Sequence, residues 1–141
     1  MRAPFSLRVC AALLACAFAH VVTAQPFVNF EAKQTSPVRL SPSGNRLFAV
    51  NTPDNRLSVF DVSNPKNPIL MTEIPVGIEP VSVNALGDDE AWVVNEVSDS
   101  ISIVSVSRHV VTDTLQVKDE PVDVAFANGR AFVTCSRNNQ V

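Results

Sequence analysis

The sequence predicts an all-β fold assembled from a repeated, four-stranded antiparallel unit, and three observations lead there. One pattern of residues recurs three times at a spacing of about 40 positions. Within each copy, apolar and polar residues alternate over short runs, which is the period of a strand with one buried face. Ten prolines stand in 141 residues. Each removes a backbone donor and clashes with the turn before it, so long helices are excluded from the body of the chain.

The first copy contains Pro37-Val38-Arg39-Leu40, then Leu47-Phe48-Ala49-Val50-Asn51, then Asn55-Arg56-Leu57-Ser58-Val59-Phe60-Asp61. The second contains Pro80-Val81-Ser82-Val83, Ala91-Trp92-Val93-Val94-Asn95 and Asp99-Ser100-Ile101-Ser102-Ile103-Val104-Ser105. The third contains Pro121-Val122-Asp123-Val124, Ala131-Phe132-Val133-Thr134-Cys135 and Asn139-Gln140-Val141. The steps are 43 and 41 residues at the proline, and 44 and 40 at the aromatic. Most of the extra length in the first copy lies in Ser63-Asn64-Pro65-Lys66-Asn67-Pro68, where the second has only Ser107-Arg108-His109.

The second copy shows the strands most clearly: 81–86, 90–95, 101–106 and 110–117. They are separated by Gly87-Asp88-Asp89, Val97-Ser98-Asp99 and Ser107-Arg108-His109, which are turn-forming residues. In the first copy the turns fall at Ser43-Gly44-Asn45 and Pro53-Asp54-Asn55. Leu57, Val59 and Asp61 are expected on one face of a strand, with Ser58, Phe60 and Val62 on the other. A single twisted sheet of this kind cannot cover both of its faces, so neighbouring units must stack. Four-stranded units of about 40 residues stack as the blades of a β-propeller. Phe48, Trp92 and Phe132, which hold one repeat position, belong between blades on this reading.

The expected layout is therefore a signal segment 1–24, a lead-in 25–36, blades 37–79 and 80–120, and a partial blade 121–141. A propeller closes its ring with about four to eight blades. The fold class is then an incomplete β-propeller of about two and a half blades preceded by a signal-peptide helix. The chain is expected to be an N-terminal fragment that would aggregate or oligomerise if made alone.

Arg2 and Arg8 precede an apolar run, Val9 to Val22, that is short for a bilayer span. Val22-Thr23-Ala24 places small residues at the positions read by signal peptidase, so cleavage after Ala24 is expected. Leu13-Leu14-Ala15-Cys16 offers a second possibility, lipid attachment at Cys16. The apolar run continues past that cysteine, which speaks for cleavage after Ala24. The exported chain is then periplasmic or extracellular, with no stable membrane span after processing. It keeps one cysteine, Cys135, which has no partner within the chain and packs as a small hydrophobe.

Removing Arg2 and Arg8 leaves nine basic residues against fourteen acidic ones, a net charge of −5. A mildly acidic body without a Lys/Arg stripe is a poor ligand for nucleic acid or anionic membrane surfaces. The sequence holds no C-x-x-C-H haem site, no G-x-S-x-G elbow and no phosphate-binding glycine loop. No catalytic, cofactor or metal residues are therefore assigned. His109 sits in a hairpin beside Arg108 and reads as a surface residue. Asp88-Asp89-Glu90 falls in a hairpin turn, where acidic residues serve the backbone.

The positions that attract a functional reading are Gly77-Ile78-Glu79-Pro80 and Lys118-Asp119-Glu120-Pro121. These are equivalent links between the last strand of one blade and the first of the next. Glu79, Asp119 and Glu120 would share one face with the loops between second and third strands, at the mouth of a central channel. Such a face could bind a cation or a basic partner. It could equally serve as a cap between blades whose glutamates bind backbone amides.

The repeat as a whole resembles the YVTN-type β-propeller repeat. Phe48-Ala49-Val50-Asn51 and Trp92-Val93-Val94-Asn95 stand where that family has its name-giving tetrapeptide, and Phe132-Val133-Thr134-Cys135 occupies it a third time. No tyrosine leads any of the three, Ala49 replaces the first valine, and Cys135 replaces the asparagine. The resemblance covers about Pro37 to Val141. It implies a bacterial or archaeal extracytoplasmic seven-bladed propeller, commonly of unassigned activity; with no catalytic motif in the chain, the leading expectation is a binding or scaffold module for an unknown protein or small molecule. Related propellers include lactonase-like enzymes and subunits of periplasmic dehydrogenases, so the alternative is an enzyme with its active groups on other blades.

Overall fold

The computed structural model describes residues 33–137. The expected signal segment, with Cys16 and the cleavage site after Ala24, lies outside the described residues, as do residues 138–141. Ten strands and no helix make up the described part. They are β1 (Val38–Leu40), β2 (Arg46–Asn51), β3 (Arg56–Asp61), β4 (Ile69–Pro75), β5 (Pro80–Ala85), β6 (Glu90–Asn95), β7 (Ser100–Ser105), β8 (Val110–Gln116), β9 (Pro121–Ala127) and β10 (Arg130–Cys135). Each strand pairs antiparallel with the next in sequence within a sheet, giving sheets β1-β2-β3-β4 and β5-β6-β7-β8 and a hairpin β9-β10. This is the architecture of two four-stranded propeller blades and the first half of a third.

Strand register comes from the hairpins. Glu90 pairs with Ser105, Trp92 with Ile103 and Val94 with Ile101. In the first blade Arg46 pairs with Asp61, Phe48 with Val59 and Val50 with Leu57. Phe48 and Trp92 thus hold one structural position. Arg39 pairs with Phe48, whereas Asn84 pairs with Trp92. Arg39 therefore corresponds to Asn84 and not to Ser82, so matching Pro37 to Pro80 is two residues out in the first blade. The reason is that β5 starts earlier and carries a bulge. Pro80 pairs with Asn95 and Ser82 with Val94, which leaves Val81 as an extra residue turned out of the pleat. The third blade repeats the bulge at Val122, since Thr134 pairs with Asp123 and Cys135 with Pro121.

The blades pack face to face. Phe48, Val50, Leu57, Val59 and Ile74 of the first blade form one buried cluster with Val83, Ala91, Val93, Val104 and Val106 of the second. Val81, Val94 and Ile101 form another with Val124 of the third, against which Trp92, Phe126 and Val133 pack. The middle blade is covered on both faces. Ser100, Ile101, Ser102, Val104 and Ser105 of β7 are all buried, so the alternation of buried and solvated residues expected from the sequence is lost there. Burial of the repeated aromatic follows the same logic. Phe48 is fully buried, Trp92 is partly buried and Phe132 is 44% exposed. Phe132 lies on the last described strand, and no further sheet stands over its face among the described residues.

The lead-in is tied to the second blade. Ser36 forms a parallel bridge with Ser82, and hydrogen bonds run from Thr35 N–H to the Val81 carbonyl and from Val83 N–H to the Ser36 carbonyl.

Candidate functional site

The links between blades and the loops between second and third strands do meet on one face, and a repeated set of hydrogen bonds joins them. Asn55 and Asp99 immediately precede the third strand of their blades with φ of 54° and 47°, in the left-handed region that Asn and Asp tolerate best. Each carbonyl accepts from the end of the fourth strand, Val76 N–H at 2.9 Å and Val117 N–H at 2.9 Å. Each side chain accepts from the link that follows. Glu79 N–H donates to Asn55 Oδ1 at 2.8 Å, and Glu120 N–H donates to Asp99 Oδ1 at 2.9 Å.

The two link glutamates pass the contact onward. The Glu79 carbonyl accepts from Glu96 N–H at 3.0 Å, and the Glu120 carbonyl from Ser136 N–H at 2.9 Å, in each case just past the second strand of the next blade. Glu79 and Glu120 themselves take φ of 58° and 53°. The bonds on both sides of these residues hold a conformation that costs an L-residue about 1–2 kcal/mol. Amide binding at this junction is thus done by Asn55 and Asp99. The glutamates supply the amides.

The Gly77 link packs on a polar cluster of the second blade. Asn95 is fully buried, and its Nδ2 donates to the Ser100 carbonyl and to the hydroxyls of Ser100 and Ser102. Gly77 N–H donates to Ser102 Oγ at 3.3 Å and Ile78 N–H to Ser98 Oγ at 3.0 Å. A Cβ on Gly77 would lie 2.6 Å from Asn95 Cγ and Nδ2 and from Ser98 Oγ, so the close approach requires glycine. One unit later Lys118 stands in place of Gly77 and Cys135 in place of Asn95. The smaller strand residue accompanies the larger link residue.

Carboxylates gather over this framework. Glu96 is flanked by Glu79 and Glu120. Burial, and then the two neighbouring carboxylates, push its carboxyl above the ordinary glutamate range. Asp119 is exposed and lines an open cleft of about 280 Å³ with Glu96, Val97, Asp99, Glu120 and Arg137. The Glu120 carboxylate accepts from Ser136 Oγ at 3.1 Å and pairs with Arg137 at 3.0 Å. Ile78 and Val97 stand 56% and 57% exposed on the same segments. Glu96 and Arg137 were not singled out from sequence. Glu96 directly follows the tetrapeptide of its repeat, and that position, shared with Thr52 and Ser136, was the available signal.

The opposite ends of the blades carry a different acidic group. Arg46 donates to the Asp88 carbonyl of the next blade and lies 3.8 Å from the Asp89 carboxylate. Asp88 accepts from Ser43 N–H at 3.0 Å. Asp89 accepts from Ser107 N–H and from the hydroxyls of Ser105 and Ser107. The Asp88-Asp89-Glu90 turn thus serves as a clasp between blades. Among the described residues no group of three His, Cys, Asp or Glu is placed to hold a metal ion. His109 is exposed with φ of 56°, and its N–H donates to the Val106 carbonyl within the β7–β8 turn. Cys135 is buried and free.

No protein-family profile and no curated protein sequence matches the chain. Solved structures do. Hydrazine synthase of Kuenenia stuttgartiensis is similar with a TM-score of 0.65 and 23% identity, over 82% of this chain and 33% of that one. A luciferin-regenerating enzyme is similar with a TM-score of 0.53 and 15% identity, over 75% of this chain and 40% of that one. The chain spans about a third of the length of the first of these. At such identities the likeness is one of fold, and it agrees with the blade architecture.

Proposed function

We propose that this chain belongs to an exported, periplasmic or extracellular β-propeller of the YVTN type that acts as a binding module. Its recognition face is the one on which Glu79, Glu96, Asp119 and Glu120 gather. The observation that supports this is the gathering of carboxylates from successive blades, with Glu79 and Glu120 acting on Glu96, held on backbone that hydrogen bonds fix from both sides. A rigid framework presenting like charges, with Ile78 and Val97 exposed beside them, suits a basic, partly apolar segment of a partner protein.

The test is charge reversal at Glu79 and Glu120 together. The junction's backbone hydrogen bonds do not need the side chains of these residues, so Glu79→Lys with Glu120→Lys is expected to keep a cooperative thermal unfolding transition. Binding of a lysine-rich peptide, followed by calorimetry at low salt, is expected to disappear. Loss of folding would instead make the glutamates structural caps, and absence of peptide binding by the native chain would remove the reading altogether. The second reading, an enzyme of lactonase-like or dehydrogenase-associated type, draws on the likeness to a luciferin-regenerating enzyme. Lactone hydrolysis, or absorbance from haem or quinone in the purified protein, would favour it.

A further inference from the structure

β5 stands first in its sheet, so one of its edges has no partner strand from its own blade. An open strand edge presents N–H and C=O groups that pair with any extended segment reaching them. Residues 34–36 of the lead-in take that edge. Ser36 pairs with Ser82 in parallel, Thr35 N–H donates to the Val81 carbonyl at 3.0 Å, and Val83 N–H donates to the Ser36 carbonyl at 3.0 Å.

The same short segment touches all three blades. Gln34 Nε2 donates to Thr52 Oγ1 at 2.6 Å, and Thr52 Oγ1 donates in turn to the Pro80 carbonyl at 2.8 Å. Ser36 Oγ donates to Asp123 Oδ2 of the third blade at 3.4 Å. Thr52 holds in the first blade the position of Glu96 in the second, and Pro80 directly follows Glu79. The lead-in therefore reaches the edge of β5 from the face on which the link glutamates gather. It is held there by few bonds, and Lys33, Gln34 and Thr35 are exposed. Ser82, paired with Ser36, is fully buried, yet its Oγ has no hydrogen-bond partner among the described residues. A buried hydroxyl left unsatisfied weakens the strap against a segment that offers a donor or acceptor at that place. Lys33-Gln34-Thr35-Ser36 is itself a polar segment with one cation and no acid.

We infer that residues 33–36 are an internal stand-in for the partner: a basic segment binds extended, as a parallel strand on the edge of β5, by displacing this strap. Main-chain hydrogen bonds along the edge supply affinity, and the acidic face beside it selects for positive charge. The docked strap lowers the apparent affinity in proportion to the fraction of molecules in which the edge is free. This inference rests on the acidic face being the recognition face, and adds the conformation of the bound segment and its built-in competitor.

The probe is a peptide of alternating lysine and threonine, which is basic, strand-forming and able to offer a hydroxyl to Ser82. Thr35→Pro removes the N–H that Val81 accepts, and Gln34→Ala removes the bond to Thr52 at an exposed position. By calorimetry at low salt, Thr35→Pro is expected to bind the peptide about tenfold more tightly than the native chain, the loss of one strap hydrogen bond, and Gln34→Ala to shift affinity in the same direction. Amide hydrogen exchange reads the edge directly. Val83 N–H is expected to exchange faster in Thr35→Pro than in the native chain and to be protected again once the peptide is bound. Peptide binding that is lost in Glu79→Lys with Glu120→Lys but unchanged by Thr35→Pro and Gln34→Ala would overturn the strap and leave the acidic face standing. A Val83 amide that stays unprotected in the peptide complex would overturn the strand-addition mode. Absence of binding by every form would remove the recognition face and this inference with it.

Discussion

Gly77 shows how much a single residue can decide at a blade junction. Its hydrogen sits where any Cβ would press on the amide of Asn95, which is itself fully buried and fixed by three hydrogen bonds. The obstacle is partly a locked side chain, so relaxation requires the link to move away from Ser98 and Ser102. Gly77→Ala is expected to destabilise the fold by about 1–3 kcal/mol, the usual cost of overpacking, measured by urea denaturation. The same substitution combined with Asn95→Cys, the pairing used at Lys118 and Cys135, is expected to recover part of that loss. Sequence alone showed Gly77 as one member of a link. Its contact with Asn95 joins positions 18 residues apart in different blades and had no local trace.

At the scale of strands and turns, the two acidic groups respond to pH with opposite sign. Partial burial works against the Asp89 carboxylate, but the Ser107 N–H, the hydroxyls of Ser107 and Ser105 and the Arg46 charge outweigh it and hold its pKa low. Hydrogen bonds from Ser43 do the same for Asp88, and those from Ser63 for Asp61. A carboxyl with a lowered folded pKa stabilises the fold above its unfolded pKa, and that contribution is lost as pH falls through the folded value. The clasp should therefore weaken below about pH 4. Glu96 behaves conversely. Its folded pKa is raised, so ionisation opposes folding, and the penalty disappears as pH falls toward the unfolded value. Melting temperature followed from pH 3 to pH 8 is the measurement. Asp89→Asn is expected to lower it near neutrality and flatten the acid limb, while Glu96→Gln is expected to raise it near neutrality and leave the acid end unchanged.

The strands themselves were well marked in the sequence. The middle blade was expected at 81–86, 90–95, 101–106 and 110–117, and β5 to β8 lie within one residue of those bounds. The alternation of Val and Ser, and the Asp-Asp and Ser-Asp turns, are local features that determine where a strand can begin and end. Register across a sheet is not local. Pro37 and Pro80 look equivalent because each precedes Val-x-hydrophobic, yet the bulge at Val81 and the shortness of β1 shift one against the other. Likewise Asn55 and Asp99 were visible as turn residues, but their bonds to Glu79 and Glu120 cross 24 and 21 residues and depend on how the sheets dock.

For the whole molecule, the repeated aromatic measures how completely one blade covers the last. Phe48→Ala opens a cavity in a sealed junction and is expected to cost about 3–5 kcal/mol. Phe132→Ala, at the same repeat position but 44% exposed, is expected to cost under about half as much, with denaturant midpoints of the two variants as the comparison. Three registered copies of one pattern determined the all-β architecture, the strand boundaries and the stacking of blades, because hydrophobic period and turn chemistry act between near neighbours in the chain. Docking of the sheets decided the rest. It turned the Asp88-Asp89 turn into a clasp and placed Glu96 beside Glu79 and Glu120. Those outcomes depend on distances between residues far apart in sequence, which only the packed structure brings together.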